Sequence, residues 1–229
     1  VTPINIVFAL DASGSIGSSN WNVMLQNVAA ALDVLAEQFD GVEGADVQVS
    51  IIRFASDAVT VIEFTDLTYD PITGESNLHD AIEAIAFTGG GTDWGDTFAE
   101  AEAQFVTQTD GGINYLYFVT DGNPTSSFQT ELDSLTETID GLSIYAFAIG
   151  SSVNESSLIA IDTVLEPGDD VRSAATTADL TAAVQDTPLF NATLTDFSLS
   201  LTADGVDQGV VFSGVGGPLT QSEDGLSYD

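Results

Sequence analysis

The sequence predicts an α/β fold: a doubly wound, mostly parallel sheet flanked by helices, with one antiparallel edge strand and a short β segment at the C-terminal end. Three observations carry this: short apolar runs without alternation, amphipathic stretches of period three to four between them, and a late switch to period two. The runs at residues 4–10, 115–119 and 144–149 are rich in β-branched and aromatic residues, and turn residues follow each one. A strand reads as continuously apolar when helices cover both of its faces, as in a parallel sheet. A fourth strand is expected over 47–54. The run 59–64 follows it across Ser56 and Asp57, close enough to pair antiparallel as an edge hairpin.

Between these runs Met24, Val28, Ala31, Leu32, Leu35 and Phe39 recur at helical spacing, with Ser18, Ser19 and Asn20 as capping candidates and Gly41 as the stop. Leu78, Ile82 and Ile85 mark a second helix, Phe98, Ala101 and Phe105 a third, and Leu132, Leu135 and Ile139 a fourth. Shorter helices are expected over 155–161 and 178–184. This alternation predicts one α/β domain over residues 1–187, with ligands collecting beyond the carboxyl ends of its strands. Residues 188–229 read as a β-rich extension, part of a neighbouring module or packed on one. There Phe197, Leu199 and Leu201 alternate with Ser198, Ser200 and Thr202, and Asp204-Gly205 offers a hairpin turn before Val210, Val211 and Phe212. About 40 residues are too few to hold a core alone.

Composition removes several classes of function. Asp and Glu number 36 against two basic residues, Arg53 and Arg172, for a formal charge of −34. Nucleic acids and anionic membrane surfaces both demand clustered cations, so neither is expected as a direct partner. Hydrophobic residues nevertheless make up 44%, and the mean hydropathy is +0.20, which predicts a buried core rather than a disordered chain. Self-repulsion of this size is best tolerated where salt shortens the Debye length from about 8 Å toward about 3 Å, so a salty or calcium-rich exterior fits. The chain has no cysteine, hence no disulfides or thiolate metal sites. It opens at Val1 without an initiator Met or leader and holds no apolar stretch of bilayer-spanning length, so it reads as a piece of something longer.

The residues that carry chemistry lie in three loops at the expected carboxyl edge of the sheet. Asp11-Ala12-Ser13-Gly14-Ser15 follows the first strand, Gly89-Gly90-Gly91-Thr92-Asp93 opens the third helix, and Thr120-Asp121-Gly122-Asn123-Pro124 ends the 115–119 strand. Carboxylates and hydroxyls are hard oxygen donors of the kind Mg²⁺, Ca²⁺ and Mn²⁺ prefer. The plainer alternative is that Asp11 and Asp121 cap turns while Ser13 and Ser15 satisfy loop amides.

The D-x-S-x-S at Asp11, Ser13 and Ser15, the threonine at Thr92 and the aspartate of Thr120-Asp121-Gly122 resemble the metal-ion-dependent adhesion site of von Willebrand factor A domains. Order, strand positions and intervening helices resemble that family over roughly residues 4–187. The resemblance implies that the Ser13, Ser15 and Thr92 hydroxyls coordinate a divalent cation, Mg²⁺ or Ca²⁺ with Mn²⁺ a further candidate, while Asp11 and Asp121 bind it directly or through water. Hydroxyl ligands leave the ion under-neutralised, so an Asp or Glu from a partner protein can complete its shell. Asp93 either approaches the ion or caps the helix at Trp94, and capping is the favoured role.

Other residues carry less. His79 is expected to be a solvated or supporting histidine rather than a base, and no catalytic triad, phosphate loop or zinc-protease helix is legible. Arg53 and Arg172 read as ion-paired structural cations. Trp21 and Trp94 either line a contact surface near the metal loops or are partly buried at helix starts. Asp66, Asp70 and Glu75, and Asp196, Asp204 and Asp207, are candidate extra calcium clusters without EF-hand spacing. The expected function is therefore a non-enzymatic extracellular adhesion module, monomeric as a fragment, that binds an acidic protein ligand through the ion. A structural spacer whose ion only stiffens the loops is the alternative. Acidity, absence of cysteine and the β tail also resemble domains of giant repeats-in-toxin adhesins on bacterial surfaces.

Overall fold

The computed structural model describes residues 2–42, 44–108, 111–165 and 169–190, and the backbone of four short strands between residues 197 and 212. Its strands in chain order are β1 (Ile4–Asp11), β2 (Val47–Phe54), β3 (Ala58–Asp66), β4 (Tyr69–Asp70), β5 (Glu75–Ser76), β6 (Ile113–Thr120), β7 (Ser143–Ile149) and β8 (Arg172–Ala174). Its helices are α1 (Gly17–Phe39), α2 (His79–Glu83), α3 (Trp94–Phe105), α4 (Gln129–Thr138), α5 (Glu155–Ile161) and α6 (Leu180–Gln185).

Six strands form one sheet in the order β3-β2-β1-β6-β7-β8. All neighbours are parallel except β2 and β3, so the expected antiparallel edge is present. Period-two alternation along β1 sends Ile6, Phe8 and Leu10 to one core and Val7 and Ala9 to the other. On the first face α1 buries Trp21, Met24, Val28, Leu32 and Leu35, and α6 adds Leu180 and Val184. On the second, α3, α4 and α5 bury Phe98, Leu132, Leu135 and Leu158. Two-faced burial is why the central strands carry no polar alternation.

Several local expectations differ from what forms. Ser18, Ser19 and Asn20 do not cap α1: the chain enters the helix through Gly17 at φ +71, so they lie inside its first turn, and no side chain caps the end. The second helix is only five residues long, with Ile85 beyond it. The short edge strand β8 and the β4–β5 hairpin have no apolar run to announce them. Leu189 and Phe190 are buried in the first core, with Phe190 edge-on to Tyr117.

The division of the chain by internal contacts falls between Phe190 and Asn191. In the second unit Phe197–Leu199 pairs antiparallel with Val210–Phe212, and Thr202–Ala203 with Val206–Asp207. Asp196, Asp204 and the side chain of Asp207, one of the candidate calcium clusters, lie outside the described residues.

Candidate metal centre

The strand order reverses direction of growth at β1: β2 lies on one side and β6 on the other. In open α/β sheets a crevice opens at the carboxyl ends of the strands at such a point. Asp11 ends β1 and Thr120 ends β6, so two of the three oxygen-bearing loops arrive there by topology alone.

Short backbone bonds stitch the third loop to the first. Gly89 N donates to Ala12 O at 2.9 Å and Gly14 N to Gly90 O at 3.0 Å. Gly91 N donates to Ser56 Oγ at 2.8 Å. A Cβ on Gly90, whose φ is +112, would stand 2.6 Å from that hydroxyl, so glycine is required there both by conformation and by space. Asp93 N then donates to Ala55 O at 2.7 Å, and the Asp93 carboxylate accepts from Asp96 N at 3.2 Å. Asp93 is thus the cap of α3, as favoured from the sequence.

The five expected side chains come together. Asp11 is fully buried; its Oδ1 accepts from Ser13 N at 2.8 Å and its Oδ2 from Thr120 Oγ1 at 2.6 Å. Ser13 Oγ and Ser15 Oγ stand 3.1 Å apart, and Ser15 Oγ donates to Asp121 Oδ1 at 2.7 Å. Thr92 reaches the same place: a Cβ on Gly122 would lie 3.3 Å from Thr92 Oγ1 and 3.7 Å from Ser15 Oγ. Thr120 has a part that the sequence reading did not give it. Buried and bonded to Asp11, it fixes the carboxylate's orientation; its place one residue before Asp121 was the available signal.

Burial raises the pKa of Asp11, against the lowering effect of its bonds from Ser13 and Thr120, and burial likewise raises that of Asp121 against its bond from Ser15. No protein cation relieves either, because ion pairs among the described residues involve only His79 and Arg172. The donor set fits a hard divalent ion. Adjacent ligands around Mg²⁺ at about 2.0–2.1 Å are about 2.9 Å apart along an octahedral edge, close to the spacings of the Ser13, Ser15 and Asp121 oxygens. A bound ion would supply positive charge to the buried Asp11 and the half-buried Asp121 and an electrophilic position for an incoming oxygen.

The remaining candidates lie elsewhere. Asp66, Asp70 and Glu75 do not converge: among the described residues no group of three or more His, Cys, Asp or Glu side chains is placed to hold a metal. Trp21 and Trp94 are both fully buried and line no contact surface. Trp21 Nε1 donates to Ile85 O at 2.8 Å, while Trp94 Nε1 is buried without an acceptor, its ring packed on Phe118 and Phe128. Arg53 is not ion-paired among the described residues; it donates to Ala86 O at 3.2 Å, because the end of β2 faces the carbonyls of the segment after α2. His79 is held rather than solvated, with Nδ1 2.7 Å from Asp33 Oδ2. Burial lowers its pKa, but Asp33, Glu75 and Glu83 outweigh this and raise it.

A family model for the von Willebrand factor type A domain matches residues 5–187. Cochlin from Cavia porcellus is 28% identical over 121 residues, covering 52% of this chain and 20% of cochlin. The collagen alpha-4(VI) chain of Mus musculus is 25% identical over 163 residues, covering 67% of this chain and 6% of the collagen chain. The chain therefore spans a small part of the curated relatives it matches. Proximal thread matrix protein 1 from the mussel byssus, solved with a zinc-occupied MIDAS motif, superposes with a TM-score of 0.62 at 18% identity over 80% of this chain and 46% of that one. At that identity the likeness speaks for the fold.

Proposed function

Because the chain belongs to the von Willebrand factor type A family, we propose that it is a binding module that grips a partner protein through a divalent cation held by Asp11, Ser13, Ser15, Thr92 and Asp121. The partner supplies an exposed Asp or Glu oxygen. The observation that carries this reading is the placement of three hydroxyls beside one buried carboxylate, Asp11, and one half-buried, Asp121, neither neutralised by a side-chain cation among the described residues. Asp11, fixed by Ser13 N and Thr120, orients the loop; Ser13, Ser15 and Thr92 offer neutral oxygens, and Asp121 closes the ring. Such a set leaves the ion short of negative charge, which favours an anionic partner over water.

Mg²⁺ and Ca²⁺ both suit these oxygens, and the zinc in the mussel protein's site supports divalent binding of this type. The reading is not enzymatic, since Thr120, Asp11 and the hydroxyls form a holding arrangement with no activated nucleophile. The binding domain takes in Leu189 and Phe190, which are buried in its first core, and the residues after Phe190 are part of a neighbouring module or packed on one. The acidity suits an extracellular, salt-rich setting, and a giant repeats-in-toxin adhesin on a bacterial surface is the host protein we favour. A spacer role is less well supported, because bonds such as Gly14 N to Gly90 O already join the loops without an ion.

The test is calorimetric titration of Mg²⁺, Ca²⁺ and Mn²⁺ into the wild type and Thr92→Ala, paired with capture of displayed peptides bearing a fixed Asp. Metal-dependent capture, abolished by EDTA and by Thr92→Ala with little change in melting, supports the reading. Capture that persists in EDTA overturns it. A large fall in melting with no change in capture favours the spacer.

A further inference from the structure

The excursion between β3 and α2 is closed on itself by its own hydrogen bonds. Asn77 closes the base: its backbone N donates to Thr68 O at 3.0 Å, its Oδ1 accepts from Thr68 N at 2.9 Å, and its Nδ2 donates to Asp66 O at 2.9 Å. Asp70 closes the tip, accepting from Ile72 N at its carboxylate and from Gly74 N at its carbonyl, both at 2.8 Å. The β4–β5 hairpin is thus a unit of its own, and it is joined to α1 by Ser76, whose N donates to Asp33 Oδ1 at 2.7 Å. Ser76 Oγ is buried there with no hydrogen-bond partner among the described residues, a penalty that hydration would relieve.

The other oxygen of Asp33 meets the one histidine of the chain. His79 Nδ1 stands 2.7 Å from Asp33 Oδ2, while its Nε2 stands 3.6 Å from Glu83 Oε1 and 4.0 Å from Glu75 Oε1. Three elements therefore each bring a carboxylate to one imidazole: Asp33 from α1, Glu75 from the hairpin and Glu83 from α2. A charged imidazole donates from both nitrogens and attracts all three, whereas a neutral one bonds Asp33 alone and leaves Glu75 facing the other two acids. Asp70 and Asp80, which line a cleft of about 300 Å³ together with His79 and Glu75, add negative charge. Tyr69, facing Glu37, Asp40 and Asp33, stays protonated at neutral pH, because burial and these acids raise its pKa above 10. Leu78 and Ile82 keep α2 seated in the first core, so the part free to move is the hairpin.

We propose that Asp33, Glu75, Glu83 and His79 form a pH-sensitive clasp that holds the β4–β5 hairpin on α1 while the imidazole is charged and lets it lift when the imidazole is neutral. Burial lowers the pKa of His79, but the three carboxylates outweigh this and raise it. The charge is complete below the ordinary histidine value and is lost as pH rises through the raised one, so the clasp closes in acid and opens in mild alkali. Lifting breaks the bond from Ser76 N to Asp33 and spares those within the base and tip. The clasp shares no residue with the metal centre and goes beyond the metal-bridged reading.

The experiment is residue-resolved amide exchange by NMR on the whole 229-residue chain in EDTA and 0.1 M NaCl, at several pH values from 6 to 9, with each rate divided by its intrinsic value. The expected result is a loss of protection at Ser76 N by about threefold or more across this range, with the amides of β1 unchanged. The sole imidazole titrates in the same sample, and its midpoint is expected to coincide with the change at Ser76. In His79→Gln, which keeps a neutral donor, Ser76 is expected to show the low protection throughout. Four outcomes each overturn the clasp: constant protection of Ser76 in the wild type, a midpoint that does not match, a loss shared with β1, or a pH dependence that survives in His79→Gln.

Discussion

Two buried aspartates lie on the same fold and are treated in opposite ways. Asp162, just after α5, accepts from Ala146 N, Val164 N and Leu165 N and is paired with Arg172, whose guanidinium also lies 4.9 Å over the Tyr145 ring. Asp11, at the end of β1, receives one amide and one hydroxyl and no cation. The chain has only two arginines, and among the described residues the one in an ion pair serves Asp162. A carboxylate compensated from within is structural, and one compensated only by neutral donors leaves its charge to be met from outside.

The sharpest way to break this contrast is Arg172→Leu. It strands the Asp162 charge and is expected to cost about 3–5 kcal/mol in denaturant unfolding, measured in EDTA. Asp11→Asn under the same conditions is expected to change stability by less than about 1 kcal/mol, since it removes a charge the fold does not neutralise. Comparable losses from both would erase the distinction.

Next in size is the ion itself. Mg²⁺ or Ca²⁺ at a hundred times its dissociation constant should stabilise the wild type by about 2.7 kcal/mol and Asp11→Asn by almost nothing, read as a shift in melting temperature. The sign with pH follows from the raised pKa values of Asp11 and Asp121. Protons compete for these carboxylates at higher pH than for free aspartate, so the metal-induced shift shrinks as the solution is acidified through that raised range. Melting scans from pH 7 to pH 4, with and without metal, measure it.

The smallest effect concerns a third carboxylate, Asp33, whose partner His79 is neutral or charged depending on pH. His79 has a folded-state pKa above its ordinary 6.5, so its stabilisation is complete below that value and is lost as pH rises through the raised one. His79→Gln should therefore lower the melting temperature more at pH 6 than at pH 9, and equal losses at both would show that the pairing with Asp33 carries no charge.

The central strands and the three loops were legible because their signals are local. An uninterrupted run such as 4–10 reports two-sided burial, and Asp11-Ala12-Ser13-Gly14-Ser15 carries its oxygens within five residues. What escaped depends on partners distant in sequence. β8 has three residues, one of them Arg172, a half-buried arginine whose place is set by Asp162, ten residues earlier in the chain. The entry to α1 depends on the φ of Gly17, which outranked the capping chemistry of Ser18, Ser19 and Asn20. For Trp21 and Trp94 the sequence left a contact surface and partial burial both open, because burial of a ring is decided by what packs against it, here Phe87 for one and Phe118 for the other.

The borders of the sheet bear on how copies behave at close quarters. On one side β3 meets β2 with register irregularities between Val49 and Ile52, and it turns Glu63 and Asp66 outward. On the other, β8 stops after three residues. A kinked, anionic rim and a truncated one offer no straight ladder for a neighbour to extend. Molecules crowded side by side on a surface would thus stay discrete, each keeping its crevice turned toward whatever it meets.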